Sequence, residues 1–357
     1  MIRSRRFDWT LAVAVIAISV LGMVNLYSAT WTSRPQLYSQ QLSWMAIGLV
    51  GFAAAAALDY RRLERLAYPL FAAGVAALVL VLIVGKTVNG SRRWLELGAV
   101  SVQPSEFMKL LLILALARFL HDWPVAEGRA LRQMVIPVVM TAVPVALVLR
   151  QPDLGTSLIL VLIFVTIVLL TKLRKGALMT LLLTAALAAP LTWSNLLKDY
   201  QRQRILTFLQ PETDPAGAGW HARQALYAVG AGNWTGRGLL HGTQTQMHFL
   251  PERWTDFPFA VWAEEWGFVG SAVLLGLYLF LILWAVRLAS EARERFGAML
   301  CAGVAGLLFW HVFINVGMVA GLLPVVGVTL PLLSYGGSSV LTVLVGVGLL
   351  MSVSLRR

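Results

Sequence analysis

Charged side chains that could do acid–base chemistry interrupt an otherwise apolar pattern in LPERWTDFPFAVWAEEWGFVG, residues 250–270. Asp256 stands just before this helical pattern, and Glu264 and Glu265 stand inside it. Charged groups at membrane depth are costly, so they mark functional sites or ion pairs. A carboxylate at a helix mouth can accept a substrate proton, and burial raises its pKa. Asp256 is therefore a candidate general base, and capping of the helix that Pro258 starts is the alternative.

Two further turns bring charged side chains to the same predicted depth. QPSEFMKLL places Glu106 and Lys109 three residues apart on one helical face, where they can neutralise each other or shape a cavity. RQPDLGTS places Asp153 just before a helix, either as its cap or as a site residue. Each turn has a structural explanation of its own, but together they deliver carboxylates and cations to one face of the membrane.

The adjacent glutamates Glu264 and Glu265 diverge by about 100° around their helix, so at most one of them faces a given site. We take Glu264 as a weaker supporting residue and Arg253, from the preceding loop, as a supporting cation. One ion pair, together with hydrogen bonds to helix neighbours, explains the two glutamates equally well. The residues alone leave these alternatives open.

The segment GLLPVVGVTLPLLSYGGSS is dense in Gly and Pro, which predicts broken or re-entrant backbone that is buried or lines a cavity. Ser334, Ser338 and Ser339 offer hydroxyl groups there, but the nearest candidate base, His311, has the apolar surroundings of a core histidine. The chain has no P-loop, dinucleotide fingerprint, HExxH or CxxC. We assign no metal ligands. Without a P-loop, chemistry at the membrane face where the charged residues lie must run without ATP.

Membrane helices must position these residues. The 357 residues are 58% hydrophobic and 13% charged, whereas soluble domains carry about 25% charged residues. The mean hydropathy is +0.74. We predict an all-α polytopic membrane protein, one integral membrane domain over residues 1–357. Ten segments are long and apolar enough to span a bilayer: 9–29, 41–58, 66–84, 104–121, 133–149, 155–171, 177–195, 258–286, 298–321 and 330–353.

Basic residues in the short loops orient these spans. Seventeen of them share the side of the N-terminus and five lie on the other side, which predicts that both termini are cytoplasmic. The large loop of about 196–257, between the seventh and eighth spans, then faces outward. Its LKDYQRQRILTFLQ stretch is typical of an amphipathic interfacial helix. The net charge of +12 comes from arginines that flank spans, not from a nucleic-acid surface.

The motifs quoted above resemble together the SEDS family (shape, elongation, division and sporulation) over nearly the whole chain. PERWTDF is more similar to the elongation branch than to the division branch. The resemblance implies a peptidoglycan glycosyltransferase that polymerises lipid II on the outer face of the bacterial cytoplasmic membrane. A class B penicillin-binding protein would crosslink the growing glycan strand. The family's essential Asp matches Asp256, whereas Trp254 and Pro258 depart from the His and Ile that relatives often carry.

The implied reaction is one inversion. The GlcNAc 4-hydroxyl of lipid II attacks C1 of the lipid-linked MurNAc, Asp256 takes the proton, and undecaprenyl pyrophosphate leaves. Glu106 and Lys109 would shape the cavity, with Asp153 and Glu264 as weaker candidates. Lys109, the loop arginines or a divalent cation, Mg²⁺ or Mn²⁺, would stabilise the pyrophosphate. The alternatives are a lipid II flippase or carrier with broken helices, and a non-catalytic scaffold for a synthase.

Overall fold

The computed structural model describes residues 7–88, 91–98, 100–124, 129–171, 174–191, 193–194, 199–210 and 217–357. Helices dominate these ranges, and one small sheet accompanies them. The helices are α1 Trp9–Thr30, α2 Gln36–Ala57, α3 Tyr60–Val84, α4 Pro104–Asp122, α5 Leu131–Arg150, α6 Leu154–Leu169, α7 Lys175–Leu191, α8 Asp199–Leu209, α9 Ala218–Ala231, α10 Thr243–Gln246, α11 Pro258–Glu291, α12 Arg295–Val319 and α13 Gly337–Ser354. The strands are β1 Lys86–Val88, β2 Ser91–Leu97 and β3 Val100–Val102.

The predicted polytopic helical fold is confirmed, although the number of spans stays a prediction. Each predicted span coincides with a helix over most of its length. Within the described ranges, α1, α2, α3, α5, α11, α12 and α13 are long and apolar enough to cross a membrane. Helix α4 carries charged residues at both ends, and α6 and α7 have 16 and 17 residues, short of the usual span of about 20.

The centre of the bundle consists of α4, α12 and α13, which bury most of their residues. Helix α13 packs against α2, and α12 packs against α4, α6 and α11. The outer helices α3 and α5 expose apolar side chains, as a lipid-facing surface requires. Glu106 and Lys109, near the start of α4, are therefore enclosed by protein rather than by lipid.

The predicted broken backbone near the C-terminus is present over residues 320–336, between α12 and α13. A tenth span from residue 330 is therefore wrong at its start. Leu332 has a left-handed φ of 64° there, which a regular helix excludes. Side chains from other helices satisfy this backbone, as where Gln41 Nε2 donates to the Ser334 carbonyl at 3.1 Å. Irregular backbone at membrane depth requires such partners.

A three-stranded antiparallel sheet connects α3 to α4, and the sequence patterns do not predict it. Its strands have only three to seven residues, too short to show a period against the surrounding loop. Lys86 pairs with Trp94, and Leu95 pairs with Val102. The sheet thus carries basic and aromatic side chains to the start of α4.

The large loop inserts into a break in α11. Gly267 leaves the helical conformation, with φ 65° and ψ −161°. The free Glu264 carbonyl accepts from the Arg237 amide at 3.0 Å, and the Phe268 amide donates to the Asn233 carbonyl at 2.9 Å. Loop backbone therefore replaces the hydrogen bonds that the break removes from α11.

The helix predicted for the LKDYQRQRILTFLQ stretch is present as α8. The first two residues of that stretch, 197–198, lie outside the described residues. Arg204 on α8 donates from Nη1 to the Val325 carbonyl at 3.1 Å, which joins the large loop to the broken segment. The interfacial position of α8 stays a prediction.

Candidate active site

Asp256 lies in the turn just before α11, and its main chain is fixed on both sides. Its amide donates to the Glu252 carbonyl at 3.0 Å, and its carbonyl accepts from Asn315 Nδ2 at 2.9 Å. Phe257 is the N-cap residue of α11, and no side chain caps that helix. The helix-cap alternative for Asp256 is therefore wrong. The residue as a whole is half-buried, and its carboxylate caps no helix among the described residues.

The carboxylate of Asp256 and the guanidinium of Arg204 meet at Gly327. A Cβ placed on Gly327 would lie 3.5 Å from Asp256 Oδ2 and 3.9 Å from Arg204 Nη1. Gly327 has a φ of 74°, a conformation that side chains disfavour. A glycine therefore keeps the space between acid and cation free of side-chain atoms.

Burial raises the pKa of Asp256 from 3.8 to about 6, and the negative charge of Glu252 acts in the same direction. Arg204, a hydrogen bond from the Thr255 side chain, and Arg93 oppose this rise. A carboxylate with this pKa is mostly ionised at neutral pH and is more basic than an ordinary aspartate. Such a group can accept a proton from a hydroxyl as a general base.

A cavity of about 660 Å³ opens next to Thr255, the neighbour of Asp256. Its walls come from α2, the sheet, the start of α4 and the broken segment, and this volume lies within the range of small-molecule sites, about 300–1,000 Å³. Aromatic rings and hydrogen-bonding groups alternate along the walls, among them Gln40, Trp44, Trp94, Gln103, Glu106 and Tyr335. The cavity can therefore take a ligand with both apolar faces and many hydroxyl or amide groups.

Glu106 and Lys109 form the predicted ion pair, with Lys109 Nζ 2.7 Å from Glu106 Oε2. Lys109 Nζ also lies 3.1 Å from His311 Nε2, and His311 Nδ1 lies 2.8 Å from the Thr329 carbonyl. Since an ammonium only donates, Nε2 accepts and Nδ1 carries the ring proton. His311 is thus a satisfied core histidine, and Glu106 lines the cavity in front of a buried Lys109.

Asp153 caps α6, as the sequence allows. It accepts from the Thr156 amide at 3.1 Å and from the Thr156 hydroxyl at 3.0 Å. Gln103 Nε2 donates to the same carboxylate at 3.0 Å, and Arg93 Nη1 lies 3.9 Å away. Because Gln103 precedes α4 and lines the cavity, the turns of Glu106 and Asp153 lie together, as their common depth predicts.

Arg253 is buried away from the cavity and holds the end of α1. It donates to the Ala29 carbonyl at 2.6 Å and to the Ser33 hydroxyl at 2.8 Å, and it also bonds to the Thr245 carbonyl. Burial lowers its pKa below the usual arginine value. These contacts are those of a structural residue that fixes the turn before Asp256.

Glu264 and Glu265 are both buried and bind the large loop. Glu264 accepts from the Gln244 amide at 2.7 Å and the Thr245 amide at 3.0 Å. Glu265 accepts from the Ser28 hydroxyl. Within the described ranges neither makes an ion pair, so the expected ion pair is replaced by hydrogen bonds. The structure does not place Glu264 on the cavity.

The serines of the broken segment are engaged in structural hydrogen bonds. Ser334 donates to the Thr255 carbonyl at 2.7 Å, and Ser338 accepts from the Gln103 amide at 2.9 Å. Ser339 lies 2.9 Å from the Thr329 hydroxyl. These bonds hold the segment against α4 and the turn of Asp256 and give no support to a nucleophilic serine.

Among the described residues, no group of three possible ligands for a divalent cation surrounds Asp256. In the parts of the chain that the structure describes, Glu64, His121 and Asp122 are the group that could supply three ligands. They lie at the opposite end of α4 from Glu106, and Arg118 bonds to both carboxylates at 2.6 Å. A Mg²⁺ or Mn²⁺ ion that binds with the pyrophosphate of the substrate needs fewer protein ligands than three. Such an ion at Asp256 therefore stays a prediction, and the proposed mechanism includes no step through it.

Four residues near the site were not singled out from the sequence. Arg204 and Arg93 counted only as loop arginines, although the structure places both near Asp256. Asn315 carried a usable signal, because a carboxamide inside an apolar helix needs a partner. Gly327 was expected only as part of broken backbone.

Comparison with known proteins gives consistent matches over nearly the full length. The family of cell cycle proteins FtsW, RodA and SpoVE matches residues 8–357. The peptidoglycan glycosyltransferase MrdB of Escherichia coli K12 is 39% identical over 350 residues, 98% of this chain and 94% of that protein. The peptidoglycan glycosyltransferase RodA of Treponema pallidum is 32% identical over 426 residues and covers 98% of each chain.

Two solved structures are similar. One, described as structural coordination of polymerization and crosslinking by a peptidoglycan synthase complex, has a TM-score of 0.85, 39% identity and 98% coverage of both chains. The other, the rod shape determining protein RodA of Thermus thermophilus, has a TM-score of 0.73, 35% identity, and coverage of 98% of this chain and 97% of that one.

Proposed function

Since this chain belongs to the FtsW/RodA/SpoVE family of cell cycle proteins, we propose that it polymerises lipid II with Asp256 as general base. It is a multi-pass membrane glycosyltransferase of peptidoglycan synthesis, related over nearly its full length to proteins of that activity. The GlcNAc 4-hydroxyl of one lipid II gives its proton to Asp256 as it attacks C1 of the lipid-linked MurNAc. Undecaprenyl pyrophosphate leaves with inversion.

The observation that carries this assignment is the contrast among the predicted carboxylates. Glu106 is in an ion pair, Asp153 caps α6, and Glu264 binds the amides at the start of α10. In the parts of the chain that the structure describes, Asp256 makes no ion pair, caps no helix and accepts no bond from the main chain of another element. A residue held by its main chain, whose carboxylate has the Thr255 side chain as its hydrogen-bond donor, fits a base that meets a substrate.

Arg204 is the cation best placed to stabilise the departing pyrophosphate. Its guanidinium faces the same point above Gly327 as the Asp256 carboxylate. Lys109, which the sequence also offered, is buried and neutralised by Glu106. Cationic groups that face a developing charge lower the barrier without reorganisation. Arg93 acts from farther away, through the field it exerts on Asp256.

The proposed orientation puts both termini in the cytoplasm and the cavity on the outer side. The excess of basic residues in the loops of one side supports it. We further propose a class B penicillin-binding protein as the partner that crosslinks the strand. The similarity to a peptidoglycan synthase complex supports this pairing.

The direct test is lipid II polymerisation in detergent by the purified protein, with and without its penicillin-binding partner. Wild type should make glycan strands, and the Asp256→Asn and Asp256→Ala variants should make none while remaining folded. Glu252→Gln is the matched control, because Glu252 lies near Asp256 and raises its pKa without being the base. That control should stay active, with its pH optimum shifted to lower pH.

Full activity in Asp256→Asn would refute the role of the base. An inactive wild type, even with partner and divalent cation, would favour the flippase or scaffold instead. Those two are then separated by lipid II translocation across sealed vesicles, which a flippase performs and a scaffold does not. The position of the charged groups at one end of the helices, rather than at mid-membrane, favours the enzyme.

A further inference from the structure

Asn315 is a buried carboxamide on α12 that faces the turn of the proposed base. Its Nδ2 donates to the Asp256 carbonyl at 2.9 Å and to the Val328 carbonyl at 2.7 Å. Its Oδ1 is also buried and has no hydrogen-bond partner among the described residues. An unpaired buried acceptor is costly, so the two donated bonds must offset that cost.

The two carbonyls belong to the two segments that meet at the site. Val328 follows Gly327, the glycine against which Asp256 Oδ2 and Arg204 Nη1 both lie. Asn315 therefore joins the backbone of the base to the backbone of the surface that the base faces. Both bonds come from one amide group on a well-packed helix, so they fix one segment relative to the other.

We propose that Asn315 is a positioning residue that fixes the Asp256 main chain against residues 327–328. This inference rests on the proposed function, and it names the residue that sets the geometry of that site. Without Asn315, the turn keeps the bonds that Ser334 and Tyr335 donate to the carbonyls of Thr255 and Trp254. The Asp256 main chain itself, however, loses its link to residues 327–328. The carboxylate can then move away from the substrate hydroxyl and from Arg204.

Asn25 on α1 supplies a matched control. It is a buried asparagine that donates from Nδ2 to the Pro258 carbonyl at 3.0 Å, and its Oδ1 is likewise buried without a partner in the described chain. Pro258, however, is already the first residue of α11. Loss of this bond removes comparable stability but leaves the link between Asp256 and Val328 intact.

The experiment compares Asn315→Leu with Asn25→Leu in the full chain, measuring kcat and KM for lipid II from pH 5 to pH 9. A displacement of about 1 Å in catalytic geometry costs about 100-fold, so we expect kcat of Asn315→Leu to fall about 10- to 100-fold. KM should change by less than about twofold, because the cavity walls are untouched. Asn25→Leu should keep the wild-type kcat while its melting temperature falls by a similar amount.

The pH profile gives a readout that a loss of stability does not move. The charged groups that face Asp256 are Glu252 from its own loop, Arg204 from α8 and Arg93 from β2. A freed Asp256 changes its distance to each of them, so the apparent pKa of the kcat profile should shift in Asn315→Leu alone. A wild-type profile with a wild-type kcat in Asn315→Leu overturns the inference, as do equal effects in the two variants.

If Asn315→Leu does not fold, the isosteric Asn315→Asp decides. Its carboxylate would face two carbonyls once ionised, so its kcat should fall further below wild type as the pH rises. A profile parallel to wild type would overturn the inference.

Failure of the proposed function gives a different result, because then wild type makes no glycan or Asp256→Asn retains activity. The inference alone fails when wild type is active, Asp256→Asn is dead and Asn315 variants behave normally.

Discussion

Removing either member of the Glu106–Lys109 pair should cost far more stability than removing both. The two charges lie 2.7 Å apart, with 1% of the Lys109 side chain and 9% of the Glu106 side chain exposed. When a buried charge loses its partner, the free-energy cost of its desolvation is no longer offset. We therefore expect Glu106→Leu and Lys109→Met to be strongly non-additive, with the double variant more stable than at least one single variant.

The two single variants should also differ from each other. In Glu106→Leu, the His311 ring is the one polar contact that the enclosed Lys109 ammonium keeps among the described residues, and a buried charge left without its partner costs about 3–5 kcal/mol. In Lys109→Met, Glu106 lies on the cavity wall where water can reach it, so we expect about 1–3 kcal/mol. The double variant should lie within about 1 kcal/mol of wild type.

The assay is thermal unfolding of the purified variants in one detergent, read together with lipid II polymerisation. Lys86 and Glu96 provide the matched control: their charges lie 2.5 Å apart, but the side chains are 56% and 50% exposed. Lys86→Met and Glu96→Leu should each change stability by less than about 1 kcal/mol and should add simply. Additive losses in the Glu106 and Lys109 variants would refute the claim that this pair is a buried, mutually compensating unit.

Three further outcomes follow from the geometry at Asp256. Gly327→Ala should lower kcat, because its backbone has a φ of 74° that side chains disfavour and its Cβ would contact Asp256 Oδ2 at 3.5 Å. Gly176→Ala is the control: its Cβ would lie in open space, so kcat should not change. Equal kcat values in the two variants would contradict this prediction. The kcat/KM of wild type should rise with pH through about 6 and level off above it, since the base must be ionised; a flat profile between pH 5 and pH 7 would contradict it. Asp256→Asn should melt at a higher temperature than wild type at pH 8, because a pKa raised from 3.8 to about 6 means that ionisation destabilises the folded state. This difference should shrink as the pH falls from about 6 and should disappear below about 3.8, the unperturbed pKa; the same difference at both ends of this range would argue against burial as the cause.

Local patterns predicted the parts of this structure that depend on neighbours in the chain. Hydropathy placed the helices, because each span must bury its own backbone polar groups. The Glu106–Lys109 pair and the Asp153 cap could be predicted, because a three-residue spacing determines which groups meet on a helix or at its start. The broken segment between α12 and α13 could be predicted, because a stretch dense in Gly and Pro interrupts a helix.

The sequence did not reveal hydrogen-bond partners that lie far apart in the chain. Arg253 stands three residues before Asp256, which suggested a role at the site, yet it bonds to Ala29, 224 positions earlier. Glu264 looked like a site carboxylate, yet it binds loop amides about twenty residues upstream. Gly267 breaks α11 only because the loop around Asn233 supplies replacement bonds. In each case the sequence shows that a polar group needs a partner, and only the packing decides which partner it finds.

The same reasoning explains why Asp256 stands apart from the other predicted carboxylates. A buried charge is costly unless it has a partner. Glu106 pairs with Lys109, and Asp153 and Glu264 accept hydrogen bonds from backbone amides. Asp256 instead has its main chain bonded on both sides while burial raises the pKa of its side chain to about 6. Such an arrangement lowers stability in the ionised form, which is the form that catalysis needs. The proposed role of Asn315 is to hold the main chain of that residue in place. Asp256 is recognised by a main chain that is bonded on both sides and a carboxylate that neither joins an ion pair nor caps a helix among the described residues.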